Sequence, residues 1–309
     1  MKGKRKRRIF DIIRILVLLV ALSVLLYPTV SNYLYEKNSS RVVSRYDEEV
    51  VKLSREEKEE MLAAARQYNE KMLGNIELLD PFSPIKDEMD AYYASLLNVD
   101  GDGMMGYVRI PRIDVELPIY HGTSENVLQS GVGHFEGTSL PVGGESTHTV
   151  LTGHRGLPSK MLFTDLDELE KGDIFYIKVL GENLAYEVDQ ILTVLPEETE
   201  ELSIIPGEDY ATLVTCTPYA VNTHRLLIRG HRIPYEEAAA READAVSHGL
   251  KIPFEVRVLL IAFFVLAVIF IVWMIRRNRK NGGKKVYPPG EGRRGQMKRS
   301  RRKRRNDRR

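Results

Sequence analysis

The sequence is poor in the residues that build disulfide or metal-held frameworks. Its 309 residues include one cysteine and one tryptophan. A single cysteine, Cys216, excludes an internal disulfide framework and any zinc site built from several cysteines. Two interpretations of the thiol remain, a small buried apolar side chain or a nucleophile. The chain also lacks internal repeats, and outside its basic C-terminal end it has no low-complexity segment.

The net charge is small, but the charges are not spread evenly along the chain. The formal net charge is +2, from 45 basic and 43 acidic residues. The first eight residues hold six Lys and Arg and no acid, and residues 276–309 carry a net charge of +15. The part between these ends therefore has a net charge of −19. Such blocks indicate segments that lie in different surroundings.

Two apolar runs predict membrane-spanning helices. Residues 258–275 contain no charged residue, and eighteen helical residues extend about 27 Å, close to the thickness of a bilayer core. Near the N-terminus a shorter run, 15–26, follows the basic octet. This run fits a cleavable signal peptide or a retained anchor. We favour the uncleaved anchor, because no small-residue cleavage site follows.

The basic residues predict the orientation of these spans. Lys and Arg flank both apolar runs, and such residues collect on the cytoplasmic side of a membrane. Both termini are therefore expected in the cytoplasm, with the acidic part of the chain outside the cell. The basic C-terminal tail is expected to lie against anionic lipid, and its place beside the membrane argues against nucleic-acid binding.

Helices and then strands are predicted between the two spans. A capping box at 54–57 begins an amphipathic helix expected over 55–73. Residues 98–103 resemble the start of a calcium-binding loop, but the twelfth position is Arg109 instead of Glu, which favours a polar turn before a strand. Many short β-rich runs follow, and they predict an all-β barrel or sandwich. The predicted strands cover 107–110, 149–152, 174–180, 184–194, 211–215 and 226–233.

Cys216 follows one of these strands, so we expect it to be exposed at the rim of the barrel. A thiol nucleophile needs a partner that sets its protonation and a group that stabilises an oxyanion. His154 lies in a glycine-flanked loop after another strand, and Arg225 begins the strand that returns from the hairpin after Cys216. These three residues form a candidate acyl-transfer site, although Arg225 alone also fits a solvated surface charge.

Spacing alone does not select His154 among the seven histidines, and His224 is a competitor. The histidines that we interpret as loop or surface residues are His121, His134, His148, His224, His231 and His248.

Several motifs, in order along the chain, resemble those of sortases. Residues 212–216 (TLVTC) resemble the TLxTC signature of that family, and Arg225 matches its arginine. Residues 152–156 (TGHRG) resemble its histidine motif, and the glycine-rich stretch 131–144 is also similar. The resemblance, over about residues 106–232, implies an eight-stranded β-barrel. It also implies a cysteine transpeptidase of Gram-positive bacteria that cleaves an LPxTG-like sorting signal between Thr and Gly.

Two further features resemble class C, or pilin-polymerising, sortases. These enzymes have a second, C-terminal membrane helix and a lid with an Asp-Pro-aromatic motif, which here is residues 80–82 (DPF). The resemblance implies that Asp80 pairs with Arg225 and that the ring of Phe82 covers Cys216. The lid aromatic is often Trp, so Phe82 is a smaller cover. Without the resemblance, Asp80 fits the start of an Asp-Pro turn.

The resemblance implies a thioacyl-enzyme on Cys216, with His154 as general acid and base and Arg225 stabilising the oxyanion or positioning the sorting signal. The acyl group would pass to a lysine amine of a pilin subunit. Expected partners are pilins or surface proteins with C-terminal LPxTG-like signals, and membrane lipid; no metal or cofactor is expected. Two alternatives stay open: a housekeeping sortase that anchors proteins to peptidoglycan, and a non-catalytic membrane-tethered binding module.

Together these inferences divide the chain into segments. They are a cytoplasmic basic N-terminus (1–8), a signal-anchor transmembrane helix (9–30), an N-terminal helical region (31–103) with the lid (80–82), the sortase barrel (104–235), a linker (236–257), a transmembrane helix (258–275) and a basic cytoplasmic tail (276–309).

Overall fold

We describe a computed structural model of the chain. It covers residues 2–72, 80–83, 89–246 and 254–281. The chain divides into two compact units, Met1–Gly249 and Leu250–Arg309. Residues 247–253 of the predicted linker, with His248 among them, and the predicted tail beyond residue 281 lie outside the described residues.

Eight strands in the first unit close into a barrel, which confirms the predicted fold class. Their order around the barrel is β1-β2-β3-β4-β7-β8-β6-β5. Neighbours pair antiparallel except in β2–β3 and β4–β7, which are parallel. The strands are β1 (Met104–Ile110), β2 (Val115–His121), β3 (Val132–His134), β4 (Thr147–Thr152), β5 (Ile174–Val179), β6 (Glu182–Val194), β7 (Asp209–Thr217) and β8 (His224–Ile233).

The described part of the chain contains six α-helices. Helix α2 begins at the predicted capping box: the Ser54 hydroxyl accepts from the Glu57 amide at 3.2 Å, and the Glu57 carboxylate accepts from the Ser54 amide at 2.8 Å. Helix α5 occupies the start of the predicted linker, where Glu242 pairs with Arg109 of β1 at 2.6 Å. The helices are α1 (Lys2–Lys52), α2 (Arg55–Lys71), α3 (Ala91–Ser95), α4 (Glu125–Ser130), α5 (Tyr235–Val246) and α6 (Phe254–Asn281).

Helix α1 extends well beyond the predicted anchor over 9–30. It continues through Pro28 to Lys52 because its C-terminal half packs on the barrel, where Val43 and Tyr46 are buried. The Tyr46 hydroxyl donates to the Met105 carbonyl at 2.8 Å. Its N-terminal half is long and apolar enough to cross a membrane. This property supports membrane anchoring at the N-terminus.

The second predicted span, 258–275, lies within helix α6. Among the described residues, α1 is the one helix that meets the length and hydropathy of a membrane span, and the apolar stretch identified in α6 is Leu260–Ile269. Two-pass topology therefore stays a prediction.

The sequence analysis did not predict strands β2 and β3. Strand β2 contains Pro118, a residue that argues against an interior strand because it cannot donate to a sheet. Strand β3 has three residues, and its Gly133 lies so close to the residue after β2 that a Cβ there would be 2.3 Å from the Gly122 carbonyl oxygen. A short glycine-containing strand gives no alternating signal, although the barrel closes through it.

The turn before β1 has the predicted polar character. The carboxylate of Asp102 accepts from the Met104 amide at 2.9 Å and pairs with Arg45 of α1 at 2.8 Å. The described residues contain no group of three or more His, Cys, Asp and Glu that could hold a metal ion.

The interpretation of three histidines as loop or surface residues was wrong. His121, His134 and His148 lie on strands and are at most 4% exposed. Each ring has polar partners: His134 Nδ1 lies 2.7 Å from the Tyr93 hydroxyl, and His148 Nε2 lies 2.7 Å from the hydroxyl of a β7 threonine. Satisfied hydrogen bonds let a polar ring occupy the interior, which hydropathy alone does not predict.

Candidate active site

Cys216 and Arg225 lie directly opposite each other at the ends of β7 and β8. Side chains of opposed residues in an antiparallel pair project from the same face of the sheet, so the guanidinium reaches the thiol side. Two residues further into the strands, Val214 and Leu227 are also opposite each other and belong to an apolar cluster separate from the main core. The predicted proximity of Arg225 to Cys216 is confirmed.

His154 follows β4, the other neighbour of β7. The Gly153 amide donates to the Val214 carbonyl at 3.0 Å, and the Thr215 hydroxyl donates to the Gly153 carbonyl at 2.8 Å, so the loop is tied to β7 just before Cys216. Only glycine fits at position 153, because a Cβ would lie 2.6 Å from the Phe163 ring. The histidine is therefore held at the same end of the neighbouring strands as the thiol.

The competitor His224 lies on the other face of the sheet. It precedes Arg225 in β8, and successive strand residues point to opposite faces. Its Nδ1 lies 2.9 Å from the Thr223 hydroxyl. The geometry favours His154 over His224 as the partner of Cys216.

The predicted pairing of Asp80 with Arg225 is present. The Asp80 carboxylate receives two hydrogen bonds, from Nε at 2.8 Å and from a terminal nitrogen at 2.6 Å, and the two side chains are 13% and 11% exposed. Asp80 also begins a turn, as the alternative interpretation required: its carboxylate accepts from the Phe82 amide at 3.3 Å and its carbonyl from the Ser83 amide at 2.9 Å. One residue therefore shapes the lid and attaches it.

The lid aromatic contacts the two partners of the cysteine. The Phe82 ring lies 5.0 Å from the Arg225 guanidinium carbon and 5.9 Å, centre to centre, from the His154 ring. It also packs against the apolar cluster of Val214 and Leu227. The resemblance predicted a ring over Cys216, and the contacts found for Phe82 are with these neighbours of the thiol.

The expectation that Cys216 is exposed was wrong, since the residue is 9% exposed. A strand end lies at a rim, but here the lid segment 80–83 and the Arg225 side chain also lie at that rim. Burial raises the pKa of the Cys216 thiol; the Asp80 carboxylate raises it further, and the Arg225 charge opposes both. The arrangement with the lid in place favours the protonated, unreactive thiol.

Each of the three guanidinium nitrogens of Arg225 donates a hydrogen bond. Besides the two bonds to Asp80, the other terminal nitrogen donates to the carbonyls of Asn222 and His224, both at 3.2 Å. Burial disfavours its charge, but hydrogen bonding to Asp80 and the negative charge of that carboxylate outweigh this effect and raise the pKa of Arg225. The arginine stays charged and is held in one orientation.

Two residues at the site were missed by the sequence analysis. Glu125, the first residue of α4, has a carboxylate oxygen 3.3 Å from His154 Nε2. Arg155 donates to the Thr217 hydroxyl at 3.3 Å and pairs with Asp167, and its side chain is 8% exposed. The histidine motif contains Arg155, but no spacing rule shows which groups it will contact after folding.

Known proteins are similar to this chain in sequence and in structure. The Sortase domain family matches residues 108–233. The crystal structure of Streptococcus pneumoniae Sortase C, described with pilin substrate specificity, is 53% identical, with a TM-score of 0.60 over 63% of this chain and 97% of that one. Sortase C1 of GBS pilus island 1 is 50% identical, with a TM-score of 0.59 over 64% and 93%.

Curated relatives match over a smaller part of their length. Sortase A of Streptococcus agalactiae serotype III (strain NEM316) is 33% identical over 129 residues, which are 40% of this chain and 51% of that protein. The chain thus spans about half the length of this relative.

Taken with the barrel, these matches define the class: the chain belongs to the sortase family of cysteine transpeptidases. Within the family it belongs with the class C sortases, to which its solved neighbours of about 50% identity belong.

Proposed function

We propose that the chain is a membrane-anchored transpeptidase that polymerises pilins. It cleaves an LPxTG-like sorting signal between Thr and Gly and transfers the threonine acyl group to a lysine amine of a pilin subunit. The observation that carries this proposal is the opposition of Cys216 and Arg225, with His154 tied to the same strand and the Asp80 lid bound to the arginine.

In the first half-reaction the Cys216 thiol gives its proton to His154, and the sulfur bonds to the threonine carbonyl carbon. The tetrahedral intermediate collapses when the bond to the glycine nitrogen breaks and His154 gives that nitrogen a proton. The products are a thioacyl-enzyme and a peptide with a free glycine amine. In the second half-reaction the lysine amine attacks the thioester carbon, His154 accepts its proton, and the Cys216 thiolate leaves.

Arg225 acts on the oxyanion or on the sorting signal once the lid has left. In the structure its Nε and one terminal nitrogen are occupied by Asp80. Displacing Asp80 frees both donors beside the thiol, and a fixed planar charge suits a developing oxyanion or a peptide carbonyl. Lid release and assembly of the site are therefore one event in this mechanism.

An apolar surface beside the reacting pair could bind the apolar residues of the sorting signal. Val214 and Leu227 lie two residues from the reacting pair on the same face, and Val150 and Leu202 complete this apolar cluster. Phe82 now packs against the cluster. We propose that the leucine and proline of the signal bind where this ring lies, so that substrate and lid compete for one surface.

The proposed topology has α1 and the 258–275 segment as two spans, with both termini cytoplasmic and the barrel outside the cell. The basic residues at both ends support this orientation, and the length of the apolar half of α1 supports the first span. Anionic lipid is the proposed partner of the basic ends.

Two other functions use the same features. A housekeeping sortase shares the chemistry but transfers to a peptidoglycan amine, and a binding module has an inert thiol. The Asp80–Arg225 lid and the class C neighbours favour the pilin polymerase.

The acceptor distinguishes the three functions. The full chain in detergent is given an LPxTG-type donor peptide and equal amounts of a lysine-containing pilin-type peptide and a peptidoglycan stem peptide. Mass spectrometry should detect the lysine-linked product, and Cys216→Ala should give none. Transfer mainly to the stem peptide would support a housekeeping sortase, and no Cys216-dependent product would support a binding module.

A further inference from the structure

Helix α1 meets the barrel directly after the predicted anchor segment 9–30. The carbonyl of the Asn32 side chain accepts from the Met161 amide at 2.7 Å. Nearly one turn further, the Tyr35 hydroxyl donates to the Ser130 carbonyl at 3.0 Å. Residues that follow a membrane span directly lie at the level of the lipid head groups. The hydrogen bond from the Met161 amide to Asn32 therefore places Met161 at the level of the head groups.

The rest of α1 sets the direction of the barrel relative to the membrane. From Asn32 to Val50 the helix rises about 27 Å. Near its far end, the Tyr46 hydroxyl accepts from the Leu180 amide at 2.9 Å, at the turn between β5 and β6. The barrel therefore lies along α1, with the 157–161 loop and the end of α4 at its membrane-proximal end.

Strand directions place the active site at the same end. Strand β3 begins beside Ser130, which contacts α1 near the membrane, and runs away from it. Strand β4 is antiparallel to β3, and β7 is parallel to β4, so both run toward the membrane and end there. His154 and Cys216 follow or occupy these ends.

The 157–161 loop has the composition of a segment that enters head groups. It contains Leu157, Pro158 and Met161 and no acidic residue. Pro158 and Met161 are exposed, the latter to 38%. The Lys160 amine bonds the Gln129 carbonyl and lies 5.3 Å from the centre of the Tyr35 ring. Apolar side chains beside a lysine stem and tyrosines are typical of the membrane interface.

The loop is joined to the catalytic histidine through α4. Lys160 bonds Gln129 near the end of this helix, the Gln129 amide donates to Glu125 at 2.8 Å, and Glu125 bonds His154 at 3.3 Å. A six-residue helix is about 9 Å long. His154 is thus held a short distance from the loop.

We propose that residues 157–161 form a lipid-contacting surface that seats the active-site end of the barrel on the outer face of the bilayer. The proposal rests on the membrane anchoring by α1 that is part of the proposed function, and it is independent of the transpeptidase reaction. The partner is the head-group and upper acyl region of a phospholipid bilayer.

A fluorescent probe at Met161 tests the surface. In full-length Cys216→Ala protein, Met161→Cys introduces a single thiol for an environment-sensitive dye and keeps the backbone amide that bonds Asn32. The matched control is Ile205→Cys, 42% exposed and located before the start of β7, at the membrane-distal end. Both proteins are reconstituted into phosphatidylcholine–phosphatidylglycerol vesicles with or without lipid carrying a nitroxide on its head group.

The Met161 probe should shift to the blue on reconstitution and be quenched by the nitroxide lipid at least about threefold more than the Ile205 probe. Equal quenching at both positions would contradict the proposal that residues 157–161 contact lipid. If Met161→Cys melts below the parent protein, Pro158→Cys replaces it with the same expectation. If the full-length protein does not float with the vesicles, the proposed membrane anchoring by α1 is contradicted as well. Absence of acyl transfer by the wild type would contradict the proposed reaction but not the result of the probe experiment.

Discussion

At the scale of the residue, two opposite charges lie beside the Cys216 thiol. The thiol is buried, and the Asp80 carboxylate and the Arg225 guanidinium act on its pKa in opposite directions. Asp80 also occupies two of the arginine's donors. A change at Asp80 therefore alters the protonation of the nucleophile and the availability of the cation together.

Asp80→Asn should lower the pKa of Cys216, because the carboxylate that raises it is gone and Arg225 still lowers it. At neutral pH the thiolate fraction rises by about tenfold for each unit by which the pKa falls, and alkylation by iodoacetamide should speed up by about threefold for each unit, because a less basic thiolate is a weaker nucleophile. The rate is measured against pH.

The control for this variant is Asp189→Asn. Asp189 pairs with Arg229, which lies in β8 as Arg225 does, at 2.7 and 3.1 Å. The control variant therefore removes a similar ion pair that is not in contact with the thiol. An alkylation profile that moves equally in both variants would contradict the assigned role of Asp80.

Arg155 is proposed to position the His154 loop. Its side chain links that loop to Thr217 and Asp167 and is almost fully buried, and its Nε has no hydrogen-bond partner among the described residues. Arg155→Met should lower kcat for acyl transfer by about tenfold or more with a smaller change in KM, and should alter the pH–rate profile, since the histidine loses its support.

Arg155→Lys keeps the charge but not the forked geometry and should recover part of the lost rate. A loss confined to KM, or an unchanged pH profile, would show that Arg155 does not act through His154.

At the scale of the element, residues 80–83 are the described part of the proposed lid. They contact the site through the Asp80–Arg225 ion pair and the ring of Phe82, and this ring packs where the proposed substrate binds. The pair is mostly shielded from water, so its attraction is stronger than that of a surface pair, yet it loses its hold once either partner is rehydrated.

Phe82→Ala should open the site and Phe82→Trp should close it further. Loss of the ring removes apolar contact with Arg225 and His154, so thiol labelling and hydrolysis of the thioacyl-enzyme should both rise by several-fold. The larger tryptophan should slow both. Labelling is followed with iodoacetamide and hydrolysis by release of free threonine carboxylate from the donor peptide. Equal rates in all three proteins would show that the ring does not restrict access.

Elements whose signal is local could be predicted from the sequence. The capping box of α2, the polar turn before β1 and the end of β7 at Cys216 depend on residues within a few positions of each other. The C-terminal half of α1 and strand β3 could not, because α1 is extended by packing on the barrel and β3 forms through contact with β2. The resemblance supplied the lid pairing, which joins residues 145 positions apart and has no local signal.

At the scale of the whole molecule, buried histidines couple stability to pH. Burial lowers the pKa of both His134 and His148 to about 4. In the unfolded chain these histidines take up protons near pH 6.5. Above that pH both rings are neutral in the folded and the unfolded chain, and their contribution to stability is fully present. This contribution is lost as pH falls from about 6.5 toward 4.

The free energy of unfolding should therefore fall as the pH is lowered over that range, by up to roughly 1.4 kcal/mol per pH unit for each histidine. Thermal unfolding at a series of pH values measures this slope. His148→Gln should flatten the slope, whatever its own effect on Tm. His231→Gln, at a half-exposed position of β8, is the control for replacing a histidine with glutamine. Parallel slopes in all three proteins would contradict a role for buried His148.

The central claim is that Cys216 is the nucleophile of a lid-covered transpeptidase, and one measurement tests it most directly. Full-length protein is incubated with an LPxTG-type peptide without an amine acceptor, and its intact mass is recorded over time. We predict that the mass rises by the acyl part of the peptide, on Cys216, and that Phe82→Ala acquires it faster. An adduct that persists in Cys216→Ala, or no adduct in either wild type or Phe82→Ala, would contradict the account.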